Sequence, residues 1–148
     1  LHNHVATNHS DRVINRFDKF PQGGDKWDIP EELRTKKDGR KRWDANKHSR
    51  AITSSPDDFI HYERNRIPTV RETARIQTFP DDYEFKGQRT TGNWRRKFEY
   101  CSQTQQVGNA VPPWLGESVG REILKSLGHE PETESTFMRI RRMSEATA

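Results

Sequence analysis

Cys101 is the single thiol in the sequence, and a thiolate is the strongest nucleophile a side chain can offer near neutral pH. One cysteine also rules out an internal disulfide, which fits a reducing interior. A second chemical possibility lies in Gly108-Asn109-Ala110-Val111-Pro112-Pro113. Gly108 lets backbone approach a neighbour without a Cβ in the way. The chain before Pro112 is held extended. The amides of Asn109, Ala110 and Val111 then lie near a helix N-terminus, a setting that favours a carboxylate. The same turn could equally be a tight structural link into a core helix.

A third possibility is phosphate contact. Arg34, Lys36, Lys37, Arg40, Lys41 and Arg42 form one basic run around Gly39. Arg89, Arg95, Arg96 and Lys97 form a second, interleaved with Trp94 and Phe98. Arg40, Arg42, Arg95 and Arg96 are the candidate contacts to a nucleic-acid backbone, and the aromatics could stack on bases. Such runs also occur as solvated loops. His2, His4 and His9 cluster near the start, but no second set of soft ligands accompanies them. They are expected as polar loop histidines, with no metal site.

Composition limits what can hold these groups in place. Leu, Ile, Val and Phe together number 26 of 148 residues, below the roughly 20% often associated with disorder. The formal net charge is only +4, so the chain is not a polyelectrolyte. Its pI of about 9.4 suits a polyanionic partner. A chain this poor in aliphatics struggles to offset the entropy of folding alone. Its core is expected to be completed by another polypeptide segment. No apolar run approaches the ~18 residues of a membrane span, and no signal-peptide pattern is visible. The chain starts on Leu1 rather than Met, and is expected to be part of a longer protein. A cytoplasmic, DNA-associated location is expected.

Several elements are expected to carry the candidate groups. Val13, Ile14, Phe17 and Phe20 recur at near-helical spacing, with Ser10 or Asp11 as cap and Pro21-Gln22-Gly23-Gly24 as stop. Ser49–Ser54 and Phe59–Tyr62 suggest two short strands joined by a turn at Ser55-Pro56-Asp57-Asp58. Thr69-Val70-Arg71-Glu72 is a capping box. It starts a helix expected to run from Val70 to about Thr78, where Phe79-Pro80 ends it. Tyr83-Glu84-Phe85 suggests a short strand. Leu115, Val119, Ile123 and Leu127 recur every fourth residue, which makes one apolar stripe on a helix begun by the paired prolines. Gly128 is a plausible C′ residue, and Glu130 to Ala148 is a polar tail. The capping box and the amphipathic last helix both speak against a merely disordered basic chain.

Arg66-Ile67-Pro68-Thr69-Val70-Arg71-Glu72-Thr73-Ala74-Arg75-Ile76-Gln77-Thr78-Phe79-Pro80-Asp81 resembles the ninth conserved motif of cytosine-5 DNA methyltransferases. Gln106 to Pro113, with the helix after it, resembles the tenth. Ser49-Arg50-Ala51-Ile52-Thr53, followed by Ile60-His61, resembles what commonly precedes the ninth. The match covers residues 49–128, and both motifs in this order make a specific signal.

The resemblance implies a class I, Rossmann-like, S-adenosyl-L-methionine-dependent methyltransferase with a small target-recognition domain. This chain would be an α+β fragment from its C-terminal portion. Residues 1–62 would hold part of the recognition region, 63–128 a C-terminal segment of the catalytic domain, and 129–148 a tail. Asn109, Ala110 and Val111 would contact the methyl donor. Thr69, Arg71, Glu72 and Arg75 would form a structural motif, with Glu72 a cap rather than a base. Arg71 and Arg75, four apart on one face, would pair with carboxylates or phosphates.

The family's nucleophile sits in a Pro-Cys pair. Cys101 follows Tyr100, so no catalytic residue is assigned here. The Gly-rich donor loop, the Glu-Asn-Val triplet and the Gln-x-Arg-x-Arg phrase are also absent from the sequence. Partners would be double-stranded DNA and the missing N-terminal methyltransferase segment, from the same gene or a separate subunit. The alternative is a non-catalytic DNA-binding module derived from such an enzyme. The intact turn at 108–113 argues against it, because a pure DNA binder has no use for a donor pocket.

Overall fold

In a computed structural model, the described residues are 1–36, 39–55, 57–90 and 100–131. Helix α1 spans Asp11–Asp18. Ser10 stands at its N-cap position, and its carbonyl accepts from the amides of Val13 and Ile14 at 2.8 and 3.0 Å. Phe17 and Phe20 are buried, and the chain then turns through Gly23, whose φ of +73° favours glycine. Two single 3-10 turns follow, Lys26–Asp28 and Glu31–Leu33. The first is held by a capping box between Asp25 and Asp28.

Strands β1 (Lys41–Arg42) and β2 (Phe59–Ile60) pair in parallel, Lys41 opposite Phe59 and Arg42 opposite Ile60. This corrects the expected hairpin of 49–54 with 59–62. Residues 49–54 form no strand. The Thr53 hydroxyl donates to Asp58 at 2.6 Å and accepts from the Ser55 amide at 3.3 Å. That local bonding competes with a ladder. The first core gathers Phe17, Phe20, Ile29, Ile60 and Ile67, with Val13 and Leu33 against it.

Helix α2 covers Val70–Ile76 and starts on the expected capping box, with Glu72 N bonded to the Thr69 hydroxyl and Thr69 N bonded to the Glu72 carboxylate. It ends earlier than the proline predicts. Thr78 takes a φ of +63°, its amide donates to Arg75 O at 3.0 Å, and the Phe79 amide donates to Ala74 O at 2.9 Å. This is a Schellman closure with a residue other than glycine. It turns Phe79 onto the second core of Val70, Ala74, Phe85 and Val107.

Residues 83–85 form no strand either. The Phe85 backbone is instead bonded both ways to the side-chain amide of Asn3, each bond 2.9 Å long. Other N-terminal residues are tied to the same region. His4 Nδ1 lies 3.0 Å from the Thr69 hydroxyl, and the Ile67 amide donates to His9 Nε2 at 3.2 Å.

A seven-residue helix unforeseen in the sequence, α3 (Gln103–Asn109), starts on a second capping box between Ser102 and Gln105. Helix α4 spans Pro113–Ser126 with proline in its first turn, and Gly128 follows it at φ +79°. Leu115, Val119, Ile123 and Leu127 form the expected stripe, and each is 52–67% exposed. The described residues are thus helical elements around a two-stranded parallel sheet, with α4 presenting an uncovered apolar face. No helix among them is long and apolar enough to cross a membrane. Residues 132–148 of the expected tail lie outside the described residues.

Candidate functional site

A cleft of about 720 Å³ opens between the chain after β1 and the Glu72–Arg75–Ile76 side of α2. Lys41, Lys47, Arg50 and Arg75 bring positive charge to it, while Asp44 and Glu72 are its acidic members. Lys47 and Asp44 pair at 3.2 Å, and Arg75 holds Asp81 through two bonds of 2.7 and 2.8 Å. Arg50 has no ion-pair partner among the described residues. Trp43 and Tyr62 supply aromatic surface, and Trp43 Nε1 is buried with no acceptor among the described residues. A concave, cationic, aromatic-lined surface suits a sugar-phosphate chain.

The candidate cations from the sequence are placed differently. Arg42 is only 5% exposed. Its Nη1 donates to His61 O at 2.8 Å, and its Nη2 donates to Phe17 O and, at 2.7 Å, to Asn65 Oδ1. It is an internal staple joining α1, β1 and the turn after β2, which corrects the expectation of phosphate contact. A guanidinium has five donors in a fixed fork, and here carbonyls and the Asn65 amide oxygen take its two terminal nitrogens, while Nε is buried without an acceptor among the described residues. Arg40 is engaged too, with Asp57 at 3.0 Å and with the Phe17 ring face. Arg95 and Arg96 lie outside the described residues. Of the cleft's cations, Lys41 lay in the first basic run and Arg75 among the residues expected to pair with carboxylates or phosphates, while Lys47 and Arg50 were missed; their trace in the sequence is the density of Lys47, His48 and Arg50 just after that run.

Beneath the cleft lies Glu72. Burial alone would raise its carboxyl pKa, but Arg66 grips it through bonds of 2.7 and 2.8 Å and the Thr69 amide donates at 2.7 Å, taking it down to about 2. It is a capped, charge-paired carboxylate and unsuited to act as a base near neutrality. Arg71 is fully buried and bonds carbonyls of His2, Pro80 and Tyr83. Of the pairing with carboxylates or phosphates expected for both arginines, the described residues show a carboxylate pair for Arg75, with Asp81, and none for Arg71.

The turn at 108–113 joins α3 to α4. Gly108 and Asn109 complete α3, so the extended stretch expected before Pro112 begins only at Ala110, at φ −75° and ψ 145°. The close approach at Gly108 is real, but its neighbour is the chain itself. A Cβ would meet Thr53 C and Ser54 N at 2.4 Å. The Ala110 amide is not free, since it donates to Val107 O at 3.3 Å. Gln77 Nε2 reaches Val107 O at 3.1 Å and Ala110 O at 3.4 Å, so the end of α2 holds this turn. Asn109 and Val111 are exposed beside the N-terminus of α4. Cys101 is exposed.

A family described as C-5 cytosine-specific DNA methylase matches residues 2–125. Type II methyltransferase M1.HphI of Haemophilus parahaemolyticus is 41% identical over 126 residues, which cover 83% of this chain and 31% of that protein. Type II methyltransferase M.DdeI of Desulfomicrobium norvegicum is 38% identical over 141 residues, covering 83% of this chain and 32% of that protein. Type II methyltransferase M.AquIB of Picosynechococcus sp. is 38% identical over 128 residues, covering 86% of this chain and 90% of that protein. The chain therefore spans 31–32% of the length of the first two relatives and 90% of the third. With nearly its whole described length matched in this way, the chain belongs to the C-5 cytosine-specific DNA methylase family.

Proposed function

We propose that this chain is the C-terminal segment of a DNA (cytosine-5)-methyltransferase. It would contribute DNA target recognition and one wall of the S-adenosyl-L-methionine pocket, for methylation of cytosine C5 in duplex DNA. The observation that carries the reading is the face of α4. Leu115, Val119, Ile123 and Leu127 stand 52–67% exposed along one stripe, directly after the turn at 108–113. A contiguous apolar stripe on a helix marks a surface that another element covers. The occupant proposed is the twisted, mostly parallel sheet of the class I methyltransferase domain, supplied by an N-terminal segment of the same gene or by a separate subunit. The relative of which this chain spans 90% supports the separate-chain form.

The residues on the turn fit a donor with a carboxylate end. Asn109 and Val111 are exposed beside the N-terminus of the 14-residue α4, where aligned amides favour negative charge. Ala110, its amide and carbonyl both engaged, would fix the spacing of its neighbours. When bound, S-adenosyl-L-methionine supplies the methyl group. The thiolate that attacks cytosine would come from the partner segment, because no Pro-Cys pair occurs in this sequence. On the DNA side, Lys41, Lys47, Arg50 and Arg75 would neutralise phosphates in the cleft. We propose Arg95 and Arg96, which lie outside the described residues, as further phosphate contacts.

The test is methyl transfer from tritiated S-adenosyl-L-methionine to cytosine-containing duplex DNA. It is run with this chain alone and with a chain carrying the N-terminal motifs. Transfer only in the mixture supports the reading. Transfer by this chain alone overturns it and returns attention to Cys101. No transfer in either case, with salt-sensitive DNA binding, favours a non-catalytic recognition module.

A further inference from the structure

His61 directly follows β2 and is buried on the wall of the cleft. Its Nδ1 accepts two amide hydrogens, from Glu63 and from Arg64, each at 3.1 Å. A ring nitrogen that accepts cannot carry a proton, so the neutral imidazole has its proton on Nε2, 3.6 Å from Glu72 Oε1. The ring stacks on Tyr62, with centroids 4.4 Å apart and planes at 24°. Those two amides close a turn that also encloses Arg42. The His61 amide donates to Arg66 O at 2.9 Å, and His61 O and Asn65 Oδ1 hold the Arg42 guanidinium. One uncharged lone pair thus organises residues 62–66, the position of Tyr62 and the far end of the cleft.

We propose that His61 is a positioning residue for the cleft, an unprotonated acceptor that keeps Tyr62 on its wall, so that the cleft's hold on a phosphate backbone weakens when Nδ1 takes up a proton. This rests on the reading of the cleft as a DNA surface. Protonation would set a third donor against the two amides, and the turn must open to separate them. The charged groups that face the ring are Glu72 on α2 and Glu63, Arg64 and Arg66 in the turn, while Arg42 on β1 reaches the His61 carbonyl. Burial and the two arginines disfavour the cation, and the two glutamates favour it. The balance leaves the His61 pKa below its usual 6.5.

His61→Asn separates the structural role from the titration, because the Asn Oδ1 can accept the same amides and does not titrate. The full chain is used throughout. Long-range proton–nitrogen correlation spectra report the tautomer, and the Glu63 and Arg64 amide shifts are followed from about pH 7.5 to about pH 5. A labelled DNA duplex measures affinity over the same range. The expected result is an Nε2–H tautomer and amide shifts that move with the His61 titration but stay put in His61→Asn. The variant should outbind wild type by about tenfold one pH unit below the pKa. A proton on Nδ1, amide shifts indifferent to the titration, or parallel affinity profiles would each overturn the proposal. If His61→Asn fails to fold, the wild-type tautomer and amide shifts decide. If neither protein binds DNA at any pH while the tautomer is as expected, the DNA reading of the cleft falls, and its pH coupling with it.

Discussion

The hydroxyl of Thr78 accepts the amide hydrogen of Trp114 at 3.2 Å, joining the end of α2 to the start of α4. Pro112, at the N-cap position of α4, offers no side-chain acceptor, so Thr78 serves as a cap from another part of the chain. It does so from a φ of +63°, where a β-branched residue is strained. Beside it, Gln77 bonds the carbonyls of Val107 and Ala110. The two stretches that resemble the ninth and tenth motifs are therefore stitched together at this point.

Thr78→Ala removes that surrogate cap. The first turn of α4 should lose about 1 kcal/mol, the usual cost of a lost N-cap. Faster amide exchange at Trp114 and Leu115 is the readout. Exchange unchanged from wild type would mean that the 3.2 Å bond does not matter to the helix.

Gly108→Ala should be among the most damaging small substitutions. The new Cβ would meet three backbone atoms of Thr53 and Ser54 at 2.4–2.5 Å, and backbone cannot swing aside. Overpacking of this kind costs about 1–3 kcal/mol. Gly116→Ala and Gly120→Ala are the contrast. Among the described residues, a Cβ at either position meets nothing within 4 Å outside its own helix backbone, and alanine in an exposed helix interior gains up to about 1 kcal/mol. Denaturant midpoints that fail to split in these directions would contradict the packing described.

Glu72 makes stability depend on acid. Its carboxyl sits at about 2 in the folded chain against a usual 4.5, so folding favours the ionised form. That contribution is fully present above the usual value and is lost as pH falls from about 4.5 through about 2. The shift corresponds to on the order of 3 kcal/mol. The Glu72 side chain is only 17% exposed, so solvent screening takes little from it. Glu72→Gln should be less stable near neutrality and should show a flatter stability profile in that acid window. Parallel profiles for the two proteins would show that the pair with Arg66 carries no net energy.

Val119→Glu and Ile123→Glu test the uncovered helix face. Both positions are more than half exposed, so the isolated chain should change by no more than about 0.5 kcal/mol. Methyl transfer reconstituted with the N-terminal segment should fall at least about tenfold, because a charge would be buried unpaired in the joint core. Full activity of the mixtures would mean that this face is not where the partner packs.

How much of this was legible before any coordinates depends on the reach of each interaction. The Thr69–Glu72 box spans three residues, the α4 stripe repeats every fourth, and Gly128 follows its helix directly. Each is a local bond or a local period, so residue types in order suffice to reveal it. The second capping box, Ser102 to Gln105, is just as local and was overlooked beside the glycine turn. Other features depend on which distant groups arrive. Two-residue strands carry no period, so the pairing of Lys41–Arg42 with Phe59–Ile60 cannot be seen in either alone. Arg42 and Arg40 look alike in sequence, yet carbonyls from Phe17 and His61 bury the first. Gly108 is needed because Thr53 and Ser54 press on it, and the cleft exists because chain near residue 45 faces α2. A side chain's type states what it can bond; only the folded chain decides which partner, across tens of residues, is close enough to take it.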